Sequence, residues 1–306
     1  MNVEIEHGNS SHELPASSAN TSPPRAPDLL ATRFEILNKS EAFEEVDGKF
    51  QFTKTLVVYR DGKHIYHAVS KARSSEVSNL GINHQLSTQL LIPATAYSPL
   101  FVPTFTRAPD PLPSNTYVKK PSLISYDRIH GGPLENSIAD DVLAEVRVCE
   151  LLRQNPHPNI ARYLGCQVLD GRIVGICFAK YEKTLMEAVN PPGFMKRMSS
   201  ATRQGVSNHH GRQLDGIEDG LKHLHSLKLV HNDLNPSNIM MDGRTWVIID
   251  FGSCRYEGES LDGVGRTYEW FDEAVHSSLP QNDLDALREI RNWLEGAPSD
   301  AFQFEE

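Results

Sequence analysis

Residues 231–253, HNDLNPSNIMMDGRTWVIIDFGS, constrain this chain more than any other stretch. Two short runs of ionisable residues lie here on either side of a strand pattern. The first reads His231-x-Asp233-Leu234-x-x-x-Asn238 and the second Ile248-Ile249-Asp250-Phe251-Gly252. Asp242-Gly243 between them is a tight-turn dipeptide of the kind that joins two short strands. The hairpin it implies carries Asp233 and Asn238 at its entry and Asp250 at its exit. Three oxygen-bearing side chains then converge without a long loop.

Such a convergence suits Mg²⁺-assisted phosphoryl transfer. Mg²⁺ prefers hard oxygen ligands and takes one or two carboxylates together with phosphate oxygens. A further carboxylate, not bound to metal, is needed to accept or orient the proton of the attacking hydroxyl. An Asp or Asn in a turn more often caps backbone groups. Two motifs in this order, joined by a hairpin, argue for the chemical reading.

The spacing resembles the catalytic loop and metal-binding turn of the protein kinase family, H-R-D-x-x-x-x-N followed by D-F-G. By position, the resemblance makes Asp233 the catalytic base, Asn238 the second-metal ligand and Asp250 the principal metal ligand. It covers residues 90–294 and is strongest over 211–288.

Other stretches fit the resemblance. Asn115-Thr-Tyr-Val-Lys-Lys120 reads as a strand, and Lys119 is its phosphate-contacting lysine; strand alternation leaves Lys120 as the other choice. Residues 138–154, IADDVLAEVRVCELLRQ, form an amphipathic helix with Val142, Leu143, Val146, Cys149 and Leu152 at helical spacing. Glu145 borders that stripe, and the resemblance pairs it with the strand lysine. His157-Pro-Asn-Ile160 follows. The apolar strand IVGICFA runs into Lys180-Tyr181, the place of the adenine-binding hinge, with Ala179 guarding the back of the pocket. Residues 211–227 form a second amphipathic helix leading into the catalytic loop. Asp283, at the start of a last helix, is the residue expected to brace that loop.

Three departures stand out. No glycine occurs between Gly81 and Gly131, so the glycine-rich phosphate loop is absent. Six prolines punctuate residues 90–113 instead, which confines that stretch to edge strands and irregular extended backbone. Asn235 stands two residues after the base, where Ser/Thr kinases carry lysine, and Asn232 replaces the arginine that precedes it.

The remaining stretches set the context. Residues 1–28 are poor in apolar residues and read as a disordered tail. Residues 29–89 form a β-rich extension, with a hairpin turn at Arg60-Asp61-Gly62-Lys63, and 71–86 read as a polar loop. His209 and His210 lack partners at ligand spacing and read as surface residues. The net charge is −10, which argues against general nucleic-acid or anionic-membrane binding. The four cysteines are scattered and read as free thiols in a reducing compartment. No secretory signal and no run of the ~20 apolar residues a membrane span needs is visible.

The expectation is therefore an α+β, two-lobe kinase-like domain over residues 90–306. It has a small β-rich lobe (90–180) and a shortened, mainly helical lobe (181–306), as in a divergent, truncated, fungal-type member of the Ser/Thr protein kinase superfamily. The resemblance implies ATP and Mg²⁺ as cofactors and a protein Ser/Thr hydroxyl as acceptor. Neither nucleic acid nor membrane is expected as a partner, and the location is cytoplasmic or nuclear. Two other readings share the motifs. One is a pseudokinase that binds or scaffolds, favoured by the missing glycine loop. The other is a small-molecule kinase of the aminoglycoside or choline type.

Overall fold

Type I′ turns organise the β structure. Asp47-Gly48 and Asp170-Gly171 both adopt positive φ (52° and 73°, 50° and 73°). That twist matches the right-handed twist of paired strands, and Asp and Gly tolerate it best. The computed structural model describes residues 34–78, 86–191, 193–196, 211–243 and 245–304. The expected tail at 1–28, and His209 and His210, lie outside the described residues.

Strands β1 (Phe34–Val46), β2 (Lys49–Asp61), β3 (His64–Ser70) and β4 (Leu86–Ile92) form an antiparallel meander. The expected turn at residues 60–63 joins β2 to β3. β1, thirteen residues long, carries no hydrophobic alternation, because most of its residues meet solvent on either face. One face of the meander buries Val58, Ile65 and Ile92 against Ala96, Leu123 and Tyr126, with Ile138 packed alongside. His67, nearly fully buried, adds a polar anchor, its Nε2 3.0 Å from the Ile124 carbonyl oxygen. Short helix α1 (Ala94–Tyr97) follows β4 and packs on the helix that begins at Ser137.

That helix, α2 (Ser137–Gln154), buries Val142, Val146, Cys149 and Leu152, the stripe expected from spacing. Its partner is a second antiparallel sheet, ordered β5 (Thr116–Lys119), β7 (Arg172–Ala179), β6 (Tyr163–Leu169). One core continues from this sheet into the helical half. There α3 (Leu185–Val189), α4 (Gly211–Ser226) and α5 (Pro280–Glu295) surround β8 (Leu229–Val230) and the hairpin β9 (Ile239–Asp242)–β10 (Thr245–Ile248). A last short strand, β11 (Arg255–Tyr256), pairs with β8. Asn159 ties the halves together. Its Nδ2 donates to the Trp246 carbonyl (2.8 Å), and its own carbonyl accepts from the Ile248 amide (2.8 Å).

The proline-rich segment follows the far side of the second sheet. The Ala108 amide donates to the Cys166 carbonyl (2.9 Å), and the Cys166 amide to the Thr106 carbonyl (2.8 Å). Glu150 on α2 fixes it further by accepting from the Thr106 amide (2.6 Å) and hydroxyl (2.8 Å). Residues 106–108 thus lie on the β6 edge, while Pro99 and Phe101 bond to the start of β7 at Ile173 and Gly171. On the opposite side, among the described residues, β5 pairs with β7 alone, so no strand covers the edge that carries Lys119.

In the helical half, Lys196 is fully buried with Glu289, Nζ to Oε2 2.8 Å. Trp270, Phe302 and Phe304 place their rings around the ammonium. Burying a charge requires such partners.

Gly165 is where the segment at 107–108 comes closest to the sheet. Its φ is 122°, and an added Cβ would lie 2.6 Å from the Ala108 nitrogen. Gly165→Ala is expected to destabilise the fold by more than about 2 kcal/mol, through strain and backbone overlap together. Urea unfolding measures this, and a change within about 0.5 kcal/mol would contradict the close approach.

Candidate active site

The catalytic-loop backbone is held from below by a buried carboxylate. Asp283, in the first turn of α5 and fully buried, accepts from the amides of His231 (2.9 Å) and Asn232 (2.8 Å). Its Oδ2 also lies 2.8 Å from Nε2 of His225. Asn232 adopts φ 62°, a conformation asparagine tolerates. Its buried amide donates to Val230, Ser253 and Ser278, so the arginine position of the motif is a neutral structural knot. His231 accepts the Asp233 amide at Nδ1 (3.3 Å), which leaves its proton on Nε2, 3.0 Å from the Ile249 carbonyl. The imidazole therefore bridges the loop to the short stretch after β10 that carries Asp250.

At that end, Asp250 takes φ 63°, which turns its carboxylate out of the strand. Lys119 Nζ donates to Asp250 Oδ1 (2.8 Å) and to both oxygens of Glu145 (2.8 Å each). Glu145, buried on α2, also accepts the Phe251 amide at 3.3 Å. Lys119, and not Lys120, thus joins β5, α2 and the Asp-Phe-Gly turn through one ammonium.

Asp233 sits in a separate network. Its Oδ1 accepts from the Thr267 amide (2.7 Å) and Asn235 Nδ2 (3.3 Å). Its Oδ2 accepts from Asn238 Nδ2 (3.0 Å) and the Thr267 hydroxyl (3.2 Å). Asn238 spends its Nδ2 on Asp233, so its side-chain oxygen has no hydrogen-bond partner among the described residues. The same holds for Oδ2 of Asp250. Two hard oxygens, one amide and one carboxylate, are the donor chemistry Mg²⁺ takes when phosphates complete its shell. Among the described residues no three His, Cys, Asp or Glu cluster as a closed metal cage.

Thr267 escaped sequence reasoning because it returns from 34 residues beyond Asp233 with no local signal. The role of Asn159 was marked only by its place in His-Pro-Asn-Ile.

The hinge differs in detail from expectation. In antiparallel sheets paired residues share a face. The register pairs Lys119 with Ile176 and Tyr117 with Phe178. Phe178 therefore shares the face of Lys119, its ring 6.4 Å from that of Phe251, and Ala179 points the other way. The back of the cleft is closed by a phenyl ring instead of being left open by alanine. The Ala179 amide is bonded to the Arg162 carbonyl (2.9 Å) and the Lys180 amide to the Asn115 carbonyl (2.8 Å). Among the described residues the Tyr181 amide is the one of the three without a partner. Ala179, Lys180 and Tyr181 line a cavity of about 810 Å³ together with His157, Arg162 and Asp242. None of Lys119, Glu145, Asp233, Asn238 or Asp250 faces it, so this cavity lies away from the charged cluster.

The cluster's electrostatics follow from burial against pairing. Burial pushes the Glu145 carboxyl above its ordinary range, with Lys119 opposing. For Asp250 burial acts in the same direction, but the charge and hydrogen bond of Lys119 and the Gly252 amide outweigh it and hold the carboxyl low. Burial would lower Lys119, yet Glu145 and Asp250 win and raise it. The signs differ in consequence. Asp250 contributes stability above its unfolded value near ~4, and that contribution is lost as pH falls through its lower folded value. Glu145 takes up a proton in the folded state before the unfolded chain would, so acidification through that window costs no stability from Glu145. The stability gap between the parent and Asp250→Asn should therefore narrow as pH falls from 7 towards 2. Denaturation at several pH values reads this, and a constant gap would contradict the pairing.

Comparisons agree with the geometry. The family model for the protein kinase domain matches residues 131–271. The chain is 32% identical over 127 residues to the serine/threonine-protein kinase/endoribonuclease IRE1 of Hypocrea jecorina, covering 40% of this chain and 10% of that protein. It is 28% identical over 157 residues to the mitogen-activated protein kinase kinase kinase nsy-1 of Caenorhabditis elegans, covering 48% and 9%. To mitogen-activated protein kinase kinase 7 of Arabidopsis thaliana it is 32% identical over 117 residues, covering 38% and 34%. The matched stretch spans at most about a third of these relatives' lengths. Residues 131–271 thus resemble a protein kinase domain, within a chain that has a β-rich amino-terminal half and a helical carboxy-terminal half.

Proposed function

We propose that this chain transfers the γ-phosphoryl group of ATP, with Mg²⁺, to a Ser or Thr hydroxyl of a protein. The observation that carries the reading is the single Lys119 ammonium held 2.8 Å from both Glu145 and Asp250, together with a second carboxylate, Asp233, that no cation among the described residues approaches within ion-pair distance. A pair of carboxylates in unlike settings fits a division of labour between metal binding and proton handling.

Asp250 Oδ2 and the side-chain oxygen of Asn238 would hold Mg²⁺, which when bound neutralises phosphate charge. Lys119, aimed by Glu145, contacts the α- and β-phosphates. The hinge contributes the Tyr181 amide and the backbone carbonyls of Ala179 and Lys180 to the adenine. Asp233 orients the acceptor hydroxyl and takes its proton. An ionised carboxylate offers about four acceptor directions, and four donors already fill those of Asp233. The acceptor hydroxyl therefore replaces one of them. The Thr267 hydroxyl, at 3.2 Å and also accepting from Asn235 Nδ2 at 3.0 Å, can turn its proton away and gives way most easily.

Among the described residues no strand covers the β5 edge to offer the phosphates backbone donors from above, so turnover is expected below the ~1–100 s⁻¹ typical of kinases. The same reading divides the chain into a tail at 1–28, an extension at 29–89 and a kinase-like domain at 90–306. It places the protein in the cytoplasm or nucleus, in keeping with four buried free thiols. Among the described residues no helix is long and apolar enough to cross a membrane.

The test is a pair of variants assayed for Mg-ATP binding by calorimetry and for transfer to a protein acceptor. Asp250→Ala should remove the Mg²⁺-dependent part of nucleotide affinity. Asp233→Asn should lower turnover at least ~100-fold while binding Mg-ATP as the parent does. A parent that binds Mg-ATP and transfers phosphate to no acceptor would make the chain a binding module instead.

A further inference from the structure

Phosphoryl transfer spreads negative charge over the equatorial oxygens of the moving group, and sites that accelerate it aim a cation there. On the acceptor side of this site the side chains around Asp233 are Asn235, Asn238 and Thr267, all neutral. Lys119 is committed to Glu145 and Asp250 on the other side. A carboxylate base with no cation beside it would leave the transferring group uncompensated.

Arg266 adjoins that network. It precedes Thr267, whose amide lies 2.7 Å from Asp233 Oδ1, so its backbone is fixed at the base. Its guanidinium stacks on the Phe271 ring, 4.0 Å from the centroid, and one N–H donates weakly to the Asp272 carbonyl at 3.4 Å. Stacking restrains the long side chain without consuming its charge. Among the described residues no carboxylate comes within ion-pair distance of it. Burial opposes its charge, and Asp233 is the first of the carboxylates that favour it, ahead of Asp272 and Glu273. Three other arginines of this half are spent: Arg255 on the Gly252 and Cys254 carbonyls, Arg288 on Asp285 and Arg291 on Glu218.

We propose that Arg266 is a catalytic residue whose guanidinium binds the transferring phosphoryl group, supplying from the segment after the Asp-Phe-Gly turn the charge that Asn235 cannot. In the step, the bond between the γ-phosphorus and the ADP oxygen breaks and a bond to the acceptor hydroxyl oxygen forms. The acceptor's proton passes to Asp233, and Arg266 keeps its protons throughout. This rests on the phosphoryl-transfer reading above.

The experiment uses the full chain as parent, Arg266→Ala, Arg266→Lys and the double variant Arg266→Ala/Asn235→Lys. Turnover is measured with KM for Mg-ATP and for the acceptor, and binding of Mg-ADP is measured with and without aluminium fluoride. Arg266→Ala is expected to lower kcat at least ~100-fold with both KM values unchanged. It should also weaken binding of the ADP–aluminium fluoride complex while leaving Mg-ADP binding alone. Arg266→Lys should retain part of the activity, and Asn235→Lys should restore part of it to the alanine variant by returning a cation from the other side. Unchanged kcat in Arg266→Ala would overturn the proposal. So would an effect confined to KM for the acceptor, which would make Arg266 a reader of acceptor charge. A parent without turnover counts against the phosphoryl-transfer reading, and the aluminium fluoride arm still decides for Arg266. Selective loss of that complex in the alanine variant supports the proposal, and equal or absent binding in parent and variant overturns it.

Discussion

One ammonium group holds the candidate site together. Lys119 comes from β5, Glu145 from α2 and Asp250 from the end of the strand leading to Phe-Gly, and the two carboxylates would repel each other without the lysine between them. Lys119 is 25% exposed and Glu145 6%, so solvent screens their attraction only partly. Breaking a buried pair by removing one partner costs about 3–5 kcal/mol, and the 42% exposure of Asp250 places this cluster at the lower end. The same geometry that stabilises the cleft thus leaves there a cation and a carboxylate oxygen, Oδ2 of Asp250, without a hydrogen-bond partner among the described residues.

Around that cluster the fold supplies two further restraints. Asp283 fixes the loop carrying Asp233 through backbone amides, and Asn159 fixes the hairpin carrying Asp250 to the end of α2. The amino-terminal meander adds a third, because its core packs against residues 123–126 and the first turn of α2. The helix that presents Glu145 is therefore braced at its start by this sheet and along its length by the β5–β7–β6 sheet. Among the described residues the outer edge of β5 has no such cover, so rigidity and openness coexist in one cleft.

What could be read from the sequence were the parts set by local spacing. Asp233, Asn238 and Asp250 are fixed by one hairpin, and the stripe on α2 locates Glu145 within a turn. Features that depend on pairing between distant segments were not legible. The proline-rich stretch shows that it must be extended, yet nothing local says it joins the β6 edge. A one-residue difference in register decides whether Phe178 or Ala179 faces the cleft, since side chains alternate along a strand. Thr267 reaches Asp233 by tertiary folding of a segment with no periodicity, and β1 lacked a pattern because only its start, Phe34 and Ile36, packs on a core while most of its residues are exposed.

Hydrogen exchange on Lys119→Met tests the central claim most directly. The Phe251 amide donates to Glu145 Oε1 at 3.3 Å, so it reports whether Glu145 and the Asp-Phe-Gly turn stay together. With the ammonium gone, the account predicts faster exchange at Phe251 and Gly252 and along the middle of α2, while the Asp283-bonded amides of His231 and Asn232 remain protected. Unchanged protection at Phe251 and in α2 would show that packing alone sets the cleft and that the shared lysine does not organise it.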